Sequence, residues 1–341
     1  MALEVVSSTP VDAPQATPLP VRSGFGCQRG RRRVRITPHY GDAVREVEVS
    51  YLWAGAPGAP TVIVQGGISA DRDVCASDAV SEGWWSGLVA PGAAVDLNSY
   101  RVLAIDWLSA ADLGTSAVSS HDQAAVLAAL LDDLRIARVA AFVGSSYGAM
   151  VGLAFAADHG HRLERLVALA GAHRPHPLAT AQRAVQRGIL RFGLESGDVA
   201  QAMSLARQLA MTTYRGADEF AQRFAGEPAF RDGRFRRPVE DYLEHAGARF
   251  VGRFDARRYL SLSESIDLHE VDPAAIRVPA TLIGFPSDRL VPLADLCELQ
   301  RRLGAGASLE VVESLYGHDG FLKEIPSLAP LLREALECCG E

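Results

Sequence analysis

The sequence predicts an α/β fold: a mostly parallel sheet with helices on both faces, interrupted by a helical insertion. Three observations carry that expectation. Short apolar runs such as TVIVQGG (61–67) and RVLAIDW (101–107) have the form of strands buried on both faces. Amphipathic helical patterns alternate with such runs, as the crossovers of a parallel sheet require. Between about 172 and 270 the alternation stops, and the chain becomes rich in Arg, Ala and Leu with a helical period and no convincing buried strand. The expected division is a loose N-terminal tail over 1–24, a core made of 25–171 and 272–341, and a helical lid insertion over 172–271.

Residues 32–37 and 44–53 alternate and are β-branched, so they predict two strands joined by a turn at Tyr40-Gly41-Asp42. The runs at 61–67 and 101–107 follow. A helix is expected over about 121–134, where Val126, Leu127, Leu130, Leu131 and Leu134 share one face. Strand 138–143, helix 149–158 and strand 165–170 come next. After the insertion the rhythm returns with strand 279–285, a helix near 292–303, strand 308–312 and a last helix near 320–337.

Composition excludes several function classes. Of 341 residues, 48% are hydrophobic, enough for a sizeable core, and Lys plus Arg total 34 against 41 Asp plus Glu. A net charge of −7 argues against nucleic acid, whose binding rests on surplus basic charge. The basic run Arg29 to Arg33 has no interleaved aromatic residues to stack on bases, and is expected to be a solvated strand edge. Five cysteines without a CxxC spacing point to a reduced, cytoplasmic setting, and no signal-peptide pattern opens the chain. No apolar run reaches the roughly 18–20 residues of a membrane span. His159, His161, His173 and His176 lack an added carboxylate or cysteine at ligand spacing, so no metal site is expected.

The chemistry-bearing stretch is AFVGSSYGAMVGLAFA (141–156), in which Gly144-x-Ser146-x-Gly148 follows an apolar strand and precedes a helix-forming run. Five residues alone would fit a plain structural turn. The strand before and the helix after turn the pattern into a tight elbow that projects a serine hydroxyl beyond the sheet edge. A serine needs a base to take its proton and a carboxylate to orient that base. On such a fold the order is serine, acid, histidine, each on a loop at a strand's C-terminal end. Asp288 follows the strand ending at 285, and His318, in YGHDGFL, follows the strand ending at 312. Asp267, Asp272 and Asp295 are rival acids, but none follows an expected strand. The expected catalytic triad is Ser146, Asp288 and His318.

These residues lie within a larger pattern that resembles the homoserine O-acyltransferase family of the α/β-hydrolase fold. The resemblance runs through GWW (83–85), VDLNSYRVLAIDWL (95–108), GSSYGAM (144–150), TTYR (212–215), the stretch 241–271, SDRLVP (287–292) and YGHDGFL. It implies that Arg215 holds the carboxylate of the amino-acid acceptor as a planar fork, and that Asp319 is the counter-charge for its ammonium. It implies an oxyanion hole made by the backbone N–H groups of Tyr147 and Gly67. The plainer alternative for Arg215 is a surface salt bridge within the insertion.

Two departures bear on the donor. Acetyltransferase members carry a His-Ala-Leu-Thr-Gly-type loop where this chain has Gln65-Gly66-Gly67-Ile68-Ser69. In QRAVQR (182–187), Arg187 matches an arginine common in the family, whereas Arg183 stands where acetyl-using members tend to have asparagine and resembles members that use succinyl-CoA. A guanidinium there suits the free carboxylate of a succinyl group; an exposed helix residue is the plainer reading, and Arg72 is a second candidate for the same task. The resemblance therefore implies succinyl transfer from succinyl-CoA to L-homoserine through an acyl-serine, serving methionine biosynthesis. It implies acyl-CoA as a substrate, no further cofactor and a homodimer. Acetyl-CoA as donor, serine as acceptor, or water as acceptor in an esterase of the same fold remain alternatives.

Overall fold

A computed structural model describes residues 26–231 and 233–337. The expected tail over 1–24 and the adjacent Cys338 and Cys339 lie outside the described residues. The chain opens with β1 (Gln28–Ile36) and β2 (Arg45–Gly55), followed by β3 (Thr61–Gln65), the short β4 (Val89–Ala90) and β5 (Val95–Asp96), and β6 (Arg101–Ile105). Next come α1 (Ala110–Leu113), α2 (Ser120–Asp133), β7 (Ala141–Ser145), α3 (Tyr147–Asp158) and β8 (Leu166–Leu169). Between β8 and the next sheet strand lie α4 (Pro177–Ser196), α5 (Val199–Tyr214), α6 (Ala217–Arg223), the hairpin β9 (Ala229–Arg231) and β10 (Arg234–Arg236), α7 (Pro238–Phe250) and α8 (Ala256–Asp267). The chain closes with β11 (Ala280–Gly284), α9 (Leu293–Leu303), β12 (Ala307–Val311), α10 (Gly320–Lys323) and α11 (Ile325–Glu337).

Eight strands form the main sheet in the order β1-β2-β6-β3-β7-β8-β11-β12. The β1–β2 and β2–β6 pairs are antiparallel and every later pair is parallel. Period-two alternation divides the core into two layers. Ile63, Leu103, Ile105 and Phe142 face the side packed by Val126, Leu127 and Leu130 of α2 and Phe155 of α3. Their neighbours Val62, Val64, Val102 and Val143 face the side packed by Leu328, Leu332 and Leu336 of α11. A one-residue slip of any central strand would exchange these sets, so burial on both faces fixes the register.

The edge strand β1 carries the basic run. Arg29 pairs with Asp73 at 2.6 Å and Arg32 with Asp133 at 2.9 Å, while Arg31 and Arg33 face Glu48 and Glu46 on β2. The cluster is a charge-balanced sheet edge, and such charges also discourage edge-to-edge pairing.

The structure corrects four expectations in detail. The strand expected at 138–143 is Ala141–Ser145, so it runs directly into the serine elbow. The final helix is two helices, because Pro326 has no N–H to continue α10 but fits the first turn of α11. The insertion contains the β9–β10 hairpin, whose residues are largely exposed on both faces and so leave no apolar alternation to detect. Leu134, expected on the buried face of α2, caps that helix and is only half-buried.

Candidate active site

The serine elbow is built by close approach. A Cβ on Gly144 would lie 2.2 Å from the Gly148 carbonyl oxygen, and one on Gly148 would lie 2.2 Å from the Gln65 carbonyl oxygen. Only glycine fits either place. Between them Ser146 adopts φ 55° and ψ −120°, a left-handed conformation that costs a non-glycine residue about 1–3 kcal/mol. Its N–H donates to Leu169 O at 2.8 Å, so β8 helps hold the strained residue.

Three loops at the C-terminal ends of parallel strands converge on that hydroxyl. Ser146 follows β7, Asp288 follows β11 and His318 follows β12. Ser146 Oγ lies 2.7 Å from His318 Nε2, and His318 Nδ1 lies 2.7 Å from Asp288 Oδ2. The carboxylate at Nδ1 can only accept, so the ring proton sits there and Nε2 is free to take the serine proton. Asp288 is itself fixed by N–H donors from Leu290 at 2.8 Å and Val291 at 3.1 Å. Burial disfavours the charged imidazole of His318, but the charge and hydrogen bond of Asp288, with Asp319 behind, outweigh it and hold the pKa above its usual value.

The triad opens into a cavity of about 210 Å³ lined, among others, by Gly67, Tyr147, Arg183, Arg207, Tyr214 and Asp319. That volume is below the roughly 300–1,000 Å³ of pockets that enclose drug-sized ligands, and suits two small reacting groups. Tyr147 is the first residue of α3, so its N–H has no intrahelical acceptor. The Gly67 backbone runs beside Ser146: a Cβ there would stand 3.8 Å from Ser146 Oγ. The Gly67 carbonyl is held by Trp107 Nε1–H at 3.0 Å and Ala70 N–H at 2.9 Å, which fixes the plane of this loop.

The residues expected to bind substrate have different settings. Asp319 lines the cavity, and burial pushes its carboxyl above the ordinary range against the opposing charges of Arg215 and His318. Arg215 is not among the cavity-lining residues. It stands behind Asp319, with Nε 2.9 Å from Asp319 Oδ2 and Nη1 3.2 Å from Glu219 Oε1. Arg183 does line the cavity, but its Nε and Nη2 both donate to Asp267 Oδ1, at 2.9 and 2.6 Å. Arg187 donates to the other oxygen of the same carboxylate at 2.6 Å. Asp267, a rival for the triad, is thus the shared partner of two arginines. Another rival, Asp295, lines the cavity, and the third, Asp272, pairs with Arg302 at 3.0 Å. Arg72 pairs with Asp106 at 2.6 Å in a neighbouring polar cleft and does not line the cavity.

Sequence reasoning missed Tyr214, Tyr259 and Arg207. The Tyr214 ring stacks on His318 with centroids 6.2 Å apart, and Tyr259 donates to Gln186 Oε1 at 2.8 Å on the cavity wall. Arg207 had a signal: it is the one charged residue in the sixteen-residue helix VAQAMSLARQLAMTTY. Among the described residues no group of three or more side chains could hold a metal, and no helix is long and apolar enough to cross a membrane.

Residues 60–325 match the α/β hydrolase fold family. A homoserine O-succinyltransferase of Xanthomonas campestris pv. campestris is 49% identical over 298 residues, covering 87% of this chain and 81% of the relative. The chain is a member of the homoserine O-acyltransferase family. A homoserine O-acetyltransferase of Nocardia farcinica is 33% identical, covering 81% of this chain and 82% of the relative. Among solved structures, a homoserine O-acetyltransferase from Bacillus anthracis superposes with a TM-score of 0.83 at 17% identity, covering 91% of this chain and 97% of that one. The esterase E22 superposes almost as well, with a TM-score of 0.82 at 16% identity over 91% of this chain and all of that one. The acyltransferase and esterase activities share this fold, so backbone shape alone does not separate transfer to an alcohol from hydrolysis.

Proposed function

We propose that this chain is a homoserine O-succinyltransferase that moves a succinyl group from succinyl-CoA to the hydroxyl of L-homoserine, a step of methionine biosynthesis. The observation that carries the reading is the serine–imidazole–carboxylate relay opening into a cavity that also holds Asp319 and surplus arginine charge. A plain esterase has no use for an amino-acid counter-charge beside its base. Identity to the succinyl-using relative is also well above that to the acetyl-using one.

Two half-reactions follow from the geometry. Ser146 Oγ passes its proton to His318 Nε2 and bonds to the thioester carbonyl carbon. The resulting oxyanion is received by the N–H groups of Tyr147 and Gly67. Collapse breaks the carbon–sulfur bond, and His318 returns the proton to the leaving CoA thiolate. The homoserine hydroxyl then gives its proton to His318 and attacks the acyl-serine, whose Oγ leaves and regains a proton. Asp319 holds the homoserine ammonium and Arg215, behind it, fixes that carboxylate or turns to the acceptor's own. A serine ester, an imidazole and two N–H donors supply all the chemistry, so no further cofactor is needed. The segment 172–271 acts as a lid that keeps water from the acyl-enzyme.

The donor assignment rests on charge. One Asp267 serves both Arg183 and Arg187, so this three-residue cluster carries one positive charge in excess, which a succinyl carboxylate would balance and an acetyl group would not. A cytoplasmic homodimer completes the reading.

The experiment is CoA release by the purified protein from succinyl-CoA and acetyl-CoA, each with homoserine, serine or no acceptor. Homoserine-dependent release favouring succinyl-CoA is expected. Equal release without acceptor would make the protein a hydrolase.

A further inference from the structure

We infer that Cys27 and Cys75 form a dithiol modification site, which a hydroperoxide converts to a disulfide that staples the edge of β1 to the loop after β3. Both are free cysteines, Cys75 buried and Cys27 half-buried. The two segments that carry them run side by side in opposite directions. Arg29 Nη2 meets Asp73 Oδ1 at 2.6 Å, and two residues earlier on the strand Cys27 Sγ donates to Ala76 O at 3.5 Å. Cys27 also packs against the apolar layer that contains Val74, Cys75 and Trp85.

The pair divides into an attacking and a resolving thiol. The Cys75 thiol donates a hydrogen bond to the Cys27 sulfur, and this, helped by Arg29, holds the Cys27 pKa below its ordinary value against burial and the charges of Asp73 and Asp78. The same bond, together with burial, pushes Cys75 up. A thiolate is the form that attacks peroxide, and a low-pKa, accessible cysteine beside a second thiol is the arrangement of a peroxide-reactive site.

The steps balance. The Cys27 thiolate bonds to one peroxide oxygen, the O–O bond breaks, and hydroxide leaves as water with the proton Cys27 gave up. The Cys75 sulfur then bonds to the Cys27 sulfur, the S–O bond breaks, and the sulfenic hydroxyl leaves as water with the Cys75 proton. Both sulfurs are oxidised and one hydrogen peroxide is reduced. The backbone allows the closure. Cys27 lies just before the first ladder pair of β1, Gln28 with Trp53. The other segment is held, because Trp84 N–H donates to Asp73 O and Trp85 N–H to Val74 O, both at 3.0 Å. Cys27 therefore moves towards a fixed Cys75.

The test treats the whole reduced chain with hydrogen peroxide and maps its peptides by mass without reduction, then repeats this with Cys27→Ser and Cys75→Ala. The wild type should give a peptide pair linked through Cys27 and Cys75 that dithiothreitol separates. Closing a loop of about 50 residues restricts the unfolded chain, so Tm should rise by about 5 °C on oxidation and return on reduction. Cys75→Ala should leave Cys27 as a sulfenic acid that dimedone captures. Cys27→Ser should leave the buried Cys75 reduced at the same peroxide concentration. Oxidation confined to the exposed Cys297, or Cys27 linked to Cys338 or Cys339 instead, would overturn the inference. So would separate oxidation of Cys27 and Cys75 without a bond between them. If Cys75→Ala fails to fold, the wild-type linkage and Cys27→Ser still decide. None of these readouts depends on acyl transfer, so they stand whatever the donor and acceptor prove to be.

Discussion

Replacing Arg183 by asparagine isolates the charge argument for the donor. In the folded protein Asp267 Oδ1 accepts from Arg183, Oδ2 accepts from Arg187, and Thr180 Oγ1 donates to Oδ1 at 2.8 Å. Arg183→Asn therefore removes one cation yet leaves the carboxylate paired with Arg187. The cluster falls from one surplus positive charge to none, without creating an unpaired buried acid. The stability cost should stay small, about 1 kcal/mol for the lost hydrogen bonds. The donor preference should move much more. A hydrogen bond to a charged group is worth about 1.5–3 kcal/mol, which corresponds to about 10- to 150-fold in the ratio of kcat/KM for succinyl- over acetyl-CoA. The assay is a competition in which both donors are present and the two ester products are separated by mass. A control is Asp267→Asn, which leaves two largely buried guanidinium groups facing each other. That variant should lose about 3–5 kcal/mol of stability. An unchanged donor ratio in Arg183→Asn, with the fold intact, would refute the role given to Arg183.

Three other outcomes are expected. The raised pKa of His318 means that kcat/KM should fall as pH drops through a value above the ordinary 6.5, because only the neutral ring can take a proton; a midpoint below 6.5 in the pH–rate profile would contradict it. Asp319→Ala should slow transfer to homoserine far more than formation of the acyl-enzyme, measured as the CoA burst without acceptor. Equal losses in both would mean that Asp319 serves the triad. His269 is buried between Ser120 Oγ at 2.7 Å and Ala172 O at 3.0 Å, and burial pushes its pKa down to about 3. The unfolded chain then binds a proton more readily than the folded one, so stability should fall by up to about 1.4 kcal/mol per pH unit as pH drops from 6.5 towards 3. His269→Gln should flatten that slope in denaturant titrations at successive pH values.

The parts legible in the sequence are those whose cause is local. GSSYGAM must be an elbow because Gly144 and Gly148 sit against backbone that admits no Cβ. Apolar runs of five residues must be central strands because both of their faces are buried. The convergence of Ser146, Asp288 and His318 was legible because each lies on a loop after a sheet strand, although β12, before His318, carries no fully buried residue. The broken final helix shows the limit of this reasoning, because its apolar face continues across the break and only Pro326 marks it. The β9–β10 hairpin escaped because exposed strands carry no burial pattern.

What the sequence by itself determined, then, was the sheet, the elbow and the loops that bring Ser146, Asp288 and His318 together. Tertiary structure alone decided the partners of the charges. Arg183 and Asp267 are 84 positions apart, and no spacing rule connects an arginine on α4 with the last residue of α8. Arg215 and Arg207 lie eight positions apart near one helix end, yet one faces two carboxylates behind the cavity and the other faces its interior. Charge is a property of composition, but whether a charge is spent or available depends on what folding brings within about 4 Å of it. That difference moved Arg72 out of the site and brought Arg207 into it.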